Sequence, residues 1–270
     1  MRADVIANFS NAATVYDDHA HVQRDTALSL ISYANDRRVK LPPGEILEIG
    51  CGTGIFSQHL VSRFPERALT ISDASVQMLD QCRRRMHLVH PLVTGGSSSA
   101  IKFQVVDADD FAAAEKYALI ASSFALHWLT DLKASLERLL DALVPGGVML
   151  FAVPAAGSFP EWQEMAQRLK VPFSANQLPD ADLFARVAKE NGVTFHAKQE
   201  ELRYTYPSAL FFFKSMKLLG AGATTDDERR LSQARLRRLL RVWGADDAGR
   251  VQVTYRIIYG EIKKPHEPKR

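Results

Sequence analysis

Short, almost continuously apolar runs alternate with amphipathic segments over the first 154 residues. The apolar runs predict strands and the amphipathic segments predict helices. Strands that are apolar at successive positions are typical of parallel sheets covered on both faces by crossover helices. The pattern therefore predicts a doubly wound α/β fold. The predicted strands are residues 45–50, 68–72, 101–107, 117–124 and 148–154, and the predicted helices are residues 20–34, 55–63, 75–86 and 132–143. The segment Pro145-Gly146-Gly147 is expected to end the last of these helices.

The pattern changes after residue 154. Residues 158–217 are rich in aromatic side chains and helix-like, with one late strand expected at 201–206. Residues 229–243 predict an amphipathic helix, because their leucines recur at helical spacing. Residues 251–262 predict a last strand. The second half is therefore expected to add a helical region and a final strand to the sheet.

Composition narrows the class of protein. Hydrophobic residues make up 46% and charged residues 24% of the chain, as in soluble globular proteins. No apolar run approaches the ~20 residues that span a bilayer, and the start lacks the apolar core of a secretory signal. Two cysteines, Cys51 and Cys82, favour reduced thiols, so we expect a cytoplasmic protein. A net charge of +3 gives no reason to expect nucleic acid, and the histidine spacing predicts no metal site.

A glycine-rich segment follows the first predicted strand and opens a helix. It reads Glu48-x-Gly50-x-Gly52-x-Gly54. Glycines at such a turn let the backbone approach a ligand closely. A dinucleotide-binding loop would read G-x-G-x-x-G, with the pyrophosphate at the helix start. Here the last gap is one residue, and an acid two positions before the first glycine repels phosphate but suits an ammonium group. A plain tight turn is the alternative interpretation.

Polar residues end the next three predicted strands. Asp73 can accept both hydroxyls of a ribose, or it can cap the helix that follows. Asp107 can accept from an adenine amino group beside the Ala108 backbone, with helix capping again as the alternative. Ser122 and Ser123 close the fourth strand. Ligands of open α/β sheets bind where such strand ends meet, so these residues predict one crevice.

With this motif set, residues 44–154 resemble the class I S-adenosylmethionine methyltransferases. The resemblance implies a Rossmann-like sheet of seven mostly parallel strands with an antiparallel last strand, and S-adenosyl-L-methionine as cofactor. It divides the chain into an N-terminal flap (1–40), the cofactor-binding core (41–154), a helical lid (155–245) and a final strand (246–270). The expected cofactor-binding residues are Tyr16, Gln23, Glu48, Gly50, Cys51, Gly52, Gly54, Asp73, Ala74, Met78, Asp107, Ala108 and Ser122.

The flanking segments carry a narrower resemblance. The N-terminal positions Phe9, Ala12, Ala13, Tyr16, His19, Ala20 and Gln23 match the signature of the malonyl-acyl-carrier-protein O-methyltransferases of biotin synthesis, the BioC family. The segments 157–162 and 215–224 and the C-terminal region resemble the same family, although Ser122 and Ser123 stand where an asparagine often occurs. The resemblance implies methylation of the free carboxylate of malonyl-acyl-carrier protein.

Methylation of a carboxylate requires no acid–base catalysis by side chains. A carboxylate with a reference pKa of ~4 is already ionised at neutral pH, so no general base is needed. Positioning in a closed pocket can supply most of the rate, since effective molarities reach ~10⁵–10⁸ M. We single out Tyr16 for a flap over the methionine end of the cofactor, with core packing as its alternative. His127 is expected to hydrogen-bond the substrate carboxylate, while Trp128 is expected to pack.

A one-signed cluster of arginines suggests a partner surface. Opposite the leucine stripe of the 229–243 helix lie Arg229, Arg235, Arg237, Arg238 and Arg241, which could dock an acidic carrier protein or form an ordinary solvated face. The aromatic tract 211–213 could line an acyl tunnel or fill the lid core. We expect a monomer. Two other functions stay open: methylation of another small carboxylate or amine, and a cofactor-binding assembly factor without malonyl-carrier activity.

Overall fold

The computed structural model describes residues 2–89, 101–221, 231–243 and 249–266. Among these residues, seven strands form one sheet in the order β3-β2-β1-β4-β5-β7-β6. The strands β1 to β5 are mutually parallel, and β7 lies antiparallel between β5 and β6. The predicted α/β sheet with an antiparallel last strand is confirmed. The strands are β1 Glu45–Ile49, β2 Leu69–Asp73, β3 Ile101–Val105, β4 Tyr117–Ser123, β5 Leu143–Pro154, β6 Thr194–Tyr206 and β7 Val251–Lys263.

Helices cover both faces of this sheet, as the apolar strands predict. On one face pack α3 and the helices that follow β1 and β2, and on the other pack α6 and α8. The described helices are α1 Ala3–Ala12, α2 Tyr16–His19, α3 His21–Asp36, α4 Ser57–Arg63, α5 Val76–Val89, α6 Leu132–Asp141, α7 Pro160–Leu169, α8 Ala181–Glu190, α9 Ala209–Leu218 and α10 Gln233–Val242, with a short 3₁₀ turn at Leu126–Trp128. Among the described residues, no helix is long and apolar enough to cross a bilayer.

The sequence pattern predicted the start of β6 too late in the chain. The structure begins this strand at Thr194, seven residues before the predicted 201, and pairs it with β7 along its whole length. The added part, residues 194–200, is mostly exposed at the sheet edge. A strand of this kind has no continuous apolar run, so periodicity could not find it. The helix-like interpretation of residues 158–217 was wrong for this stretch.

A second difference concerns the segment Pro145-Gly146-Gly147. We expected it to end the preceding helix, but α6 ends at Asp141 and the segment lies inside β5. The pairing of β4 with β5 shifts register here, between Tyr117 and Leu119, and Gly146 has φ +76°. A glycine at positive φ accommodates such a bulge without strain, so the same residues that break a helix serve a strand.

The region after β5 divides between helix α8, which packs on the sheet, and α7, α9 and α10, which we call the lid helices after the expectation above. Helix α8 packs on the sheet, with Phe184 4.5 Å from Phe151 between ring centroids. Helices α7, α9 and α10 instead surround an aromatic cluster built on Trp162, Phe212 and Trp243. Helix α10 begins at Gln233, after Ser232 caps it, and the first two residues of the expected helix, 229 and 230, lie outside the described residues. The lid helices therefore stand beside the carboxyl end of the sheet, where a ligand site is expected.

Candidate functional site

The glycine loop leaves β1 at its carboxyl end and turns sharply into α4. Gly50 has φ +70°, and a Cβ there would lie 2.2 Å from the Cβ of Ala125. Gly52 has φ +54°, and a Cβ there would meet nothing within 4 Å. Gly54 instead packs against α5, because a Cβ there would lie 2.9 Å from the Cys82 Sγ. The loop is therefore fixed at its two ends and open at Gly52.

Asp73, at the end of β2, holds this loop in place. Its Oδ2 accepts from the Gly52 amide at 2.8 Å, and its Oδ1 accepts from the Ser75 amide at 2.8 Å. The Ser75 hydroxyl in turn accepts from the Met78 amide at 3.2 Å and caps α5. Burial raises the pKa of Asp73, and the backbone hydrogen bonds from Ser75 and Gly52 oppose the rise. A carboxylate can accept about four hydrogen bonds, and Asp73 lines the pocket described next, so it can bind both the loop and a ligand.

A pocket of about 840 Å³, counted together with the open space at its mouth, lies between the glycine loop, the strand ends and the N-terminal helices. We call it the loop pocket. Its floor is the loop at Gly50 to Thr53, and its far wall is Val106 and Ala108 after β3. Nine of the thirteen expected cofactor-binding residues line it, namely Tyr16, Gln23, Gly50, Cys51, Gly52, Asp73, Ala74, Met78 and Ala108.

The remaining four lie outside that lining. Gly54 packs on α5, and the Oδ1 of Asp107 accepts from the Asp109 amide at 3.0 Å, which turns the chain after β3. Ser122 is fully buried, and its neighbour Ser123 lines the pocket instead, because successive strand residues face opposite sides. Glu48 is buried within β1.

Glu48 is a buried carboxyl group that lacks a full set of partners. It is 1% exposed, and its Oε2 has no hydrogen-bond partner among the described residues. Burial raises the pKa of Glu48 to about 8; a hydrogen bond from Ser57 opposes this rise and the charge of Asp73 adds to it. A carboxyl group in such a place is costly to the fold. It is therefore a candidate for a ligand-binding role.

The N-terminal helices close over the loop pocket through contacts that sequence reasoning missed. The Thr53 hydroxyl donates to the Oδ1 of Asp17 at 2.6 Å, and Arg85 pairs with the other oxygen of Asp17. Arg85 also donates to the Thr53 carbonyl at 2.8 Å. The hydroxyls of Ser10 and Ser75 lie 2.8 Å apart. Asp17 directly follows Tyr16, but nothing in its spacing pointed to a partner in the glycine loop.

A second and larger cavity lies on the other side of Tyr16. It has about 2050 Å³ of space between α1, the lid helices and the strand ends. We call it the lid chamber. The two cavities share one wall, which consists of Phe9, Tyr16, Gln23, Phe124 and Trp128. The two cavities therefore adjoin at these five residues, and a reactant in the lid chamber can meet a ligand in the loop pocket beside them.

His127 lines the lid chamber just beyond the shared wall. Its ring lies 5.9 Å from Phe124 and 5.1 Å from Trp128 between centroids. Burial lowers the pKa of His127 to about 3, so the ring is neutral at physiological pH. Its Nδ1 is buried without a partner among the described residues. A neutral imidazole here can offer a hydrogen bond to a substrate but no positive charge.

The aromatic tract and the arginines of the lid are placed as follows. Phe212 is fully buried in the lid core, Phe213 lines the lid chamber, and Phe211 is largely exposed. On α10, Leu239 and Trp243 are buried. The arginines of that helix are exposed at positions 235, 237, 238 and 241, while Arg229 lies outside the described residues. Lys217 of α9 is exposed and also lines the lid chamber.

Comparison with known proteins places this architecture. A family model described as a methyltransferase domain matches residues 19–197. The chain is 30% identical to a malonyl-[acyl-carrier protein] O-methyltransferase of Erwinia billingiae over 95% of both chains. It is 32% identical to the bifunctional biotin biosynthesis protein BioCD of Bordetella avium, of which it spans about half (52%). The solved YcgJ protein of Bacillus subtilis has a similar fold, with a TM-score of 0.59 at 15% identity over 88% of this chain and 99% of that one.

Proposed function

The chain belongs to the methyltransferase domain family, and we propose that it methylates the free carboxylate of malonyl-acyl-carrier protein with S-adenosyl-L-methionine. This is the activity named for the Erwinia relative, which aligns over almost its entire length. The single structural observation that supports it best is the arrangement of two cavities behind one shared wall. One cavity suits a nucleoside and the other suits an acyl arm.

The loop pocket fits the proposed cofactor. Gly52 leaves space above the loop backbone, and Asp73 keeps lone pairs for ribose hydroxyls. Glu48, whose Oε2 has no partner in the part of the chain that the structure describes, lies two residues before Gly50, where a carboxylate would favour the ammonium group of a methionine moiety. When bound, the cofactor supplies an electrophilic methyl group on a cationic sulfur. Ala108 and Met78 supply apolar walls for the adenine.

The substrate side of the proposal assigns positioning roles rather than acid–base chemistry. Tyr16 and Gln23 belong to both cavities, so they flank the junction at which the two reactants meet and exclude water from it. Neutral His127 donates a hydrogen bond to one oxygen of the malonyl carboxylate while the other oxygen attacks. Since the carboxylate is ionised at neutral pH, no proton has to move. Catalysis then depends on proximity and exclusion of water.

The lid surface supports a protein substrate. Exposed arginines lie along α10, and Lys217 is both exposed and part of the lid chamber lining, so the chamber reaches the surface there. An acidic carrier protein that docks on α10 would place its acyl arm at this opening. Basic surfaces of this kind mainly accelerate association and do so less at high salt. We propose that the enzyme is a cytoplasmic monomer in this reaction.

In the decisive experiment, the protein is incubated with cofactor and malonyl-carrier protein, and the mass of the carrier protein is measured by mass spectrometry. A gain of one methyl group is expected. An unchanged mass, with cofactor binding intact by calorimetry, would leave the assembly-factor interpretation instead. Methylation of free small carboxylates or amines, but not of the carrier-bound malonyl group, would favour the small-molecule alternative.

A matched pair of variants tests the docking surface. Arg235→Glu combined with Arg238→Glu reverses two exposed charges three residues apart on α10, and Arg186→Glu with Lys189→Glu does the same on α8. The α10 pair is expected to lower kcat/KM for malonyl-carrier protein about tenfold or more at low salt, since steering contributes factors of about 10–10³. The α8 pair is expected to leave it unchanged. Equal effects of the two pairs would contradict the docking surface.

A further inference from the structure

Helix α9 is apolar on the side that faces the solvent as well as on the side that packs in the lid. Its inward residues Ala209 and Phe212 are buried. Yet Leu210, Phe211 and Leu218 are 46%, 43% and 40% exposed. A helix that is apolar all round is normally covered on all sides. The outward side of α9 therefore lacks the cover that its composition favours.

The outward side of α9 forms one continuous stripe. At about 100° per residue, its five exposed residues fall within an arc of about 120° and along about 12 Å of the helix. In order around the helix they are Lys217, Leu210, Lys214, Leu218 and Phe211, which we call the α9 stripe. None of the five is acidic. Exposed apolar residues that cluster and are bordered by polar ones mark an interaction surface, whereas scattered ones do not.

The α9 stripe borders the opening of the lid chamber. Lys217 belongs to the stripe and also lines the chamber, as does its neighbour Met216. Helix α10 contributes Leu236 to the same lining. The two helices meet through Trp243, whose ring lies 5.6 Å from that of Phe212 between centroids. A protein that delivers a substrate into the chamber would therefore meet both α9 and α10.

The charges of the stripe indicate which kind of partner covers it. A two-fold symmetric contact with a second copy of this chain would bring the same patch of both copies together, and so would set Lys214 and Lys217 of one copy against those of the other. A protein with acidic residues around an apolar centre would instead pair with both lysines. Continuity with the lid chamber favours a partner of this kind that also inserts an acyl arm.

We infer that the α9 stripe is the apolar anchor of the docking surface for the acidic carrier protein. The inference rests on the proposed function, because it takes the carrier protein as the partner. It assigns different roles to two helices: the arginines of α10 attract the carrier protein, and the apolar side chains of α9 hold it once it is bound. Exposed charges act mainly on the association rate, whereas apolar side chains that become buried in an interface act mainly on the dissociation rate.

The test compares exposed leucines inside and outside the stripe. Leu210→Ser removes one apolar contact from the stripe. Leu88→Ser is its control, since Leu88 is 83% exposed near the end of α5, the helix that leads from the carboxyl end of β2 back to the amino end of β3, away from the chamber. Surface plasmon resonance measures the dissociation rate of malonyl-carrier protein at low and at high salt, with S-adenosylhomocysteine present. Circular dichroism verifies that both variants are folded.

The expected result is a faster dissociation that does not depend on salt. Leu210→Ser should raise the dissociation rate about three- to tenfold at both salt concentrations, because the variant loses the burial of a side chain that is about half exposed in the free protein. Leu88→Ser should leave the rate unchanged. Arg235→Glu with Arg238→Glu should instead slow association, mainly at low salt. A parental dissociation rate for Leu210→Ser would overturn the inference.

Two other results would assign the stripe a different partner and overturn the inference as well. One is a parent dimer in analytical ultracentrifugation that Leu210→Ser dissociates, and the other is parent binding to phosphatidylglycerol vesicles that Leu210→Ser abolishes, each with the dissociation rate of the carrier protein unchanged. Failure of the parent to methylate malonyl-carrier protein would overturn the proposed function. If the parent methylates the carrier protein but Leu210→Ser releases it at the parental rate, the inference alone fails.

Discussion

Replacing Glu48 by glutamine should stabilise the ligand-free protein, although the residue directly precedes the glycine loop of the proposed cofactor site. The side chain is 1% exposed, and its Oε2 has no partner among the described residues. Burial raises its pKa from 4.5 to about 8. Glutamine keeps the shape and most of the polarity of this group but cannot ionise. The substitution therefore isolates the energetic cost of the carboxyl group's charge.

The magnitude follows from proton linkage. Between pH 4.5 and about 8, folded Glu48 holds a proton that the unfolded chain has released. Raising the pH through this window therefore favours the unfolded state, by about 1.4 kcal/mol per pH unit. At pH 7 the accumulated cost is about 3 kcal/mol, and below pH 4.5 it vanishes because both states are protonated. Glu48→Gln should then melt about 5 °C or more above the parent at pH 7.

Urea unfolding of the ligand-free proteins at pH 5 and pH 7.5, followed by circular dichroism, measures the gap in the free energy of unfolding between Glu48→Gln and the parent. This gap should be small at pH 5 and widen at pH 7.5. Glu261→Gln is the control, because Glu261 is also buried but pairs with Arg37 at 3.2 Å, so its loss should not stabilise the fold. A gap between Glu48→Gln and the parent that stays constant or narrows with pH would refute the reasoning.

Two further predictions concern the loop and the flap. Gly50→Ala should cost more than Gly192→Ala in urea unfolding: both have positive φ, worth about 1–2 kcal/mol, but only at Gly50 would the Cβ strike Ala125, at 2.2 Å. Similar losses of unfolding free energy in the two variants would contradict the close approach of Gly50 to Ala125. Asp17→Asn should raise the Kd for S-adenosylhomocysteine in calorimetry about tenfold, since a charge pair that closes the flap is lost. Asp18→Asn, on the exposed side of the same turn, should leave it unchanged.

The sheet could be predicted because its signals are local. The strands β1, β2, β4 and β5 are buried on both faces, and their apolar runs appear directly in the sequence. The edge strand β3 is partly exposed, but its apolar residues Ile101, Phe103 and Val105 still alternate visibly. Edge strand β6 gave no such signal over residues 194–200, which are largely exposed. The Pro145–Gly147 segment was predicted wrongly for another reason. Proline and glycine occur both at helix ends and at strand bulges, and here they lie at a bulge in β5. Local chemistry alone cannot choose between them.

The loop pocket could be predicted for a similar reason. In a parallel sheet the strand ends lie at one edge, so the spacing of Gly52, Asp73 and Ala108 along the chain implied their proximity. The Asp17–Arg85 pair and the chamber position of Trp162 join distant segments through helix packing. No periodicity encodes such contacts. They required the folded structure.

The energetic cost of Glu48 and the unpartnered Nδ1 of His127 have the same physical origin. Buried polar atoms in a folded protein are normally paired, and exceptions concentrate where a ligand completes the pairing. Of the nine buried side-chain atoms left without partners among the described residues, those of Gln23, His127 and Trp162 belong to residues that line the cavities, and that of Glu48 lies just before the glycine loop. The other five belong to residues that line neither cavity, namely Thr26, Ser122, Arg138, Ser215 and Tyr259. The ligand-free fold therefore has unsatisfied polar atoms beside both proposed sites. Ligands that supply the missing partners should stabilise it in proportion to their complementarity, which ties substrate selection to the stability of the closed state.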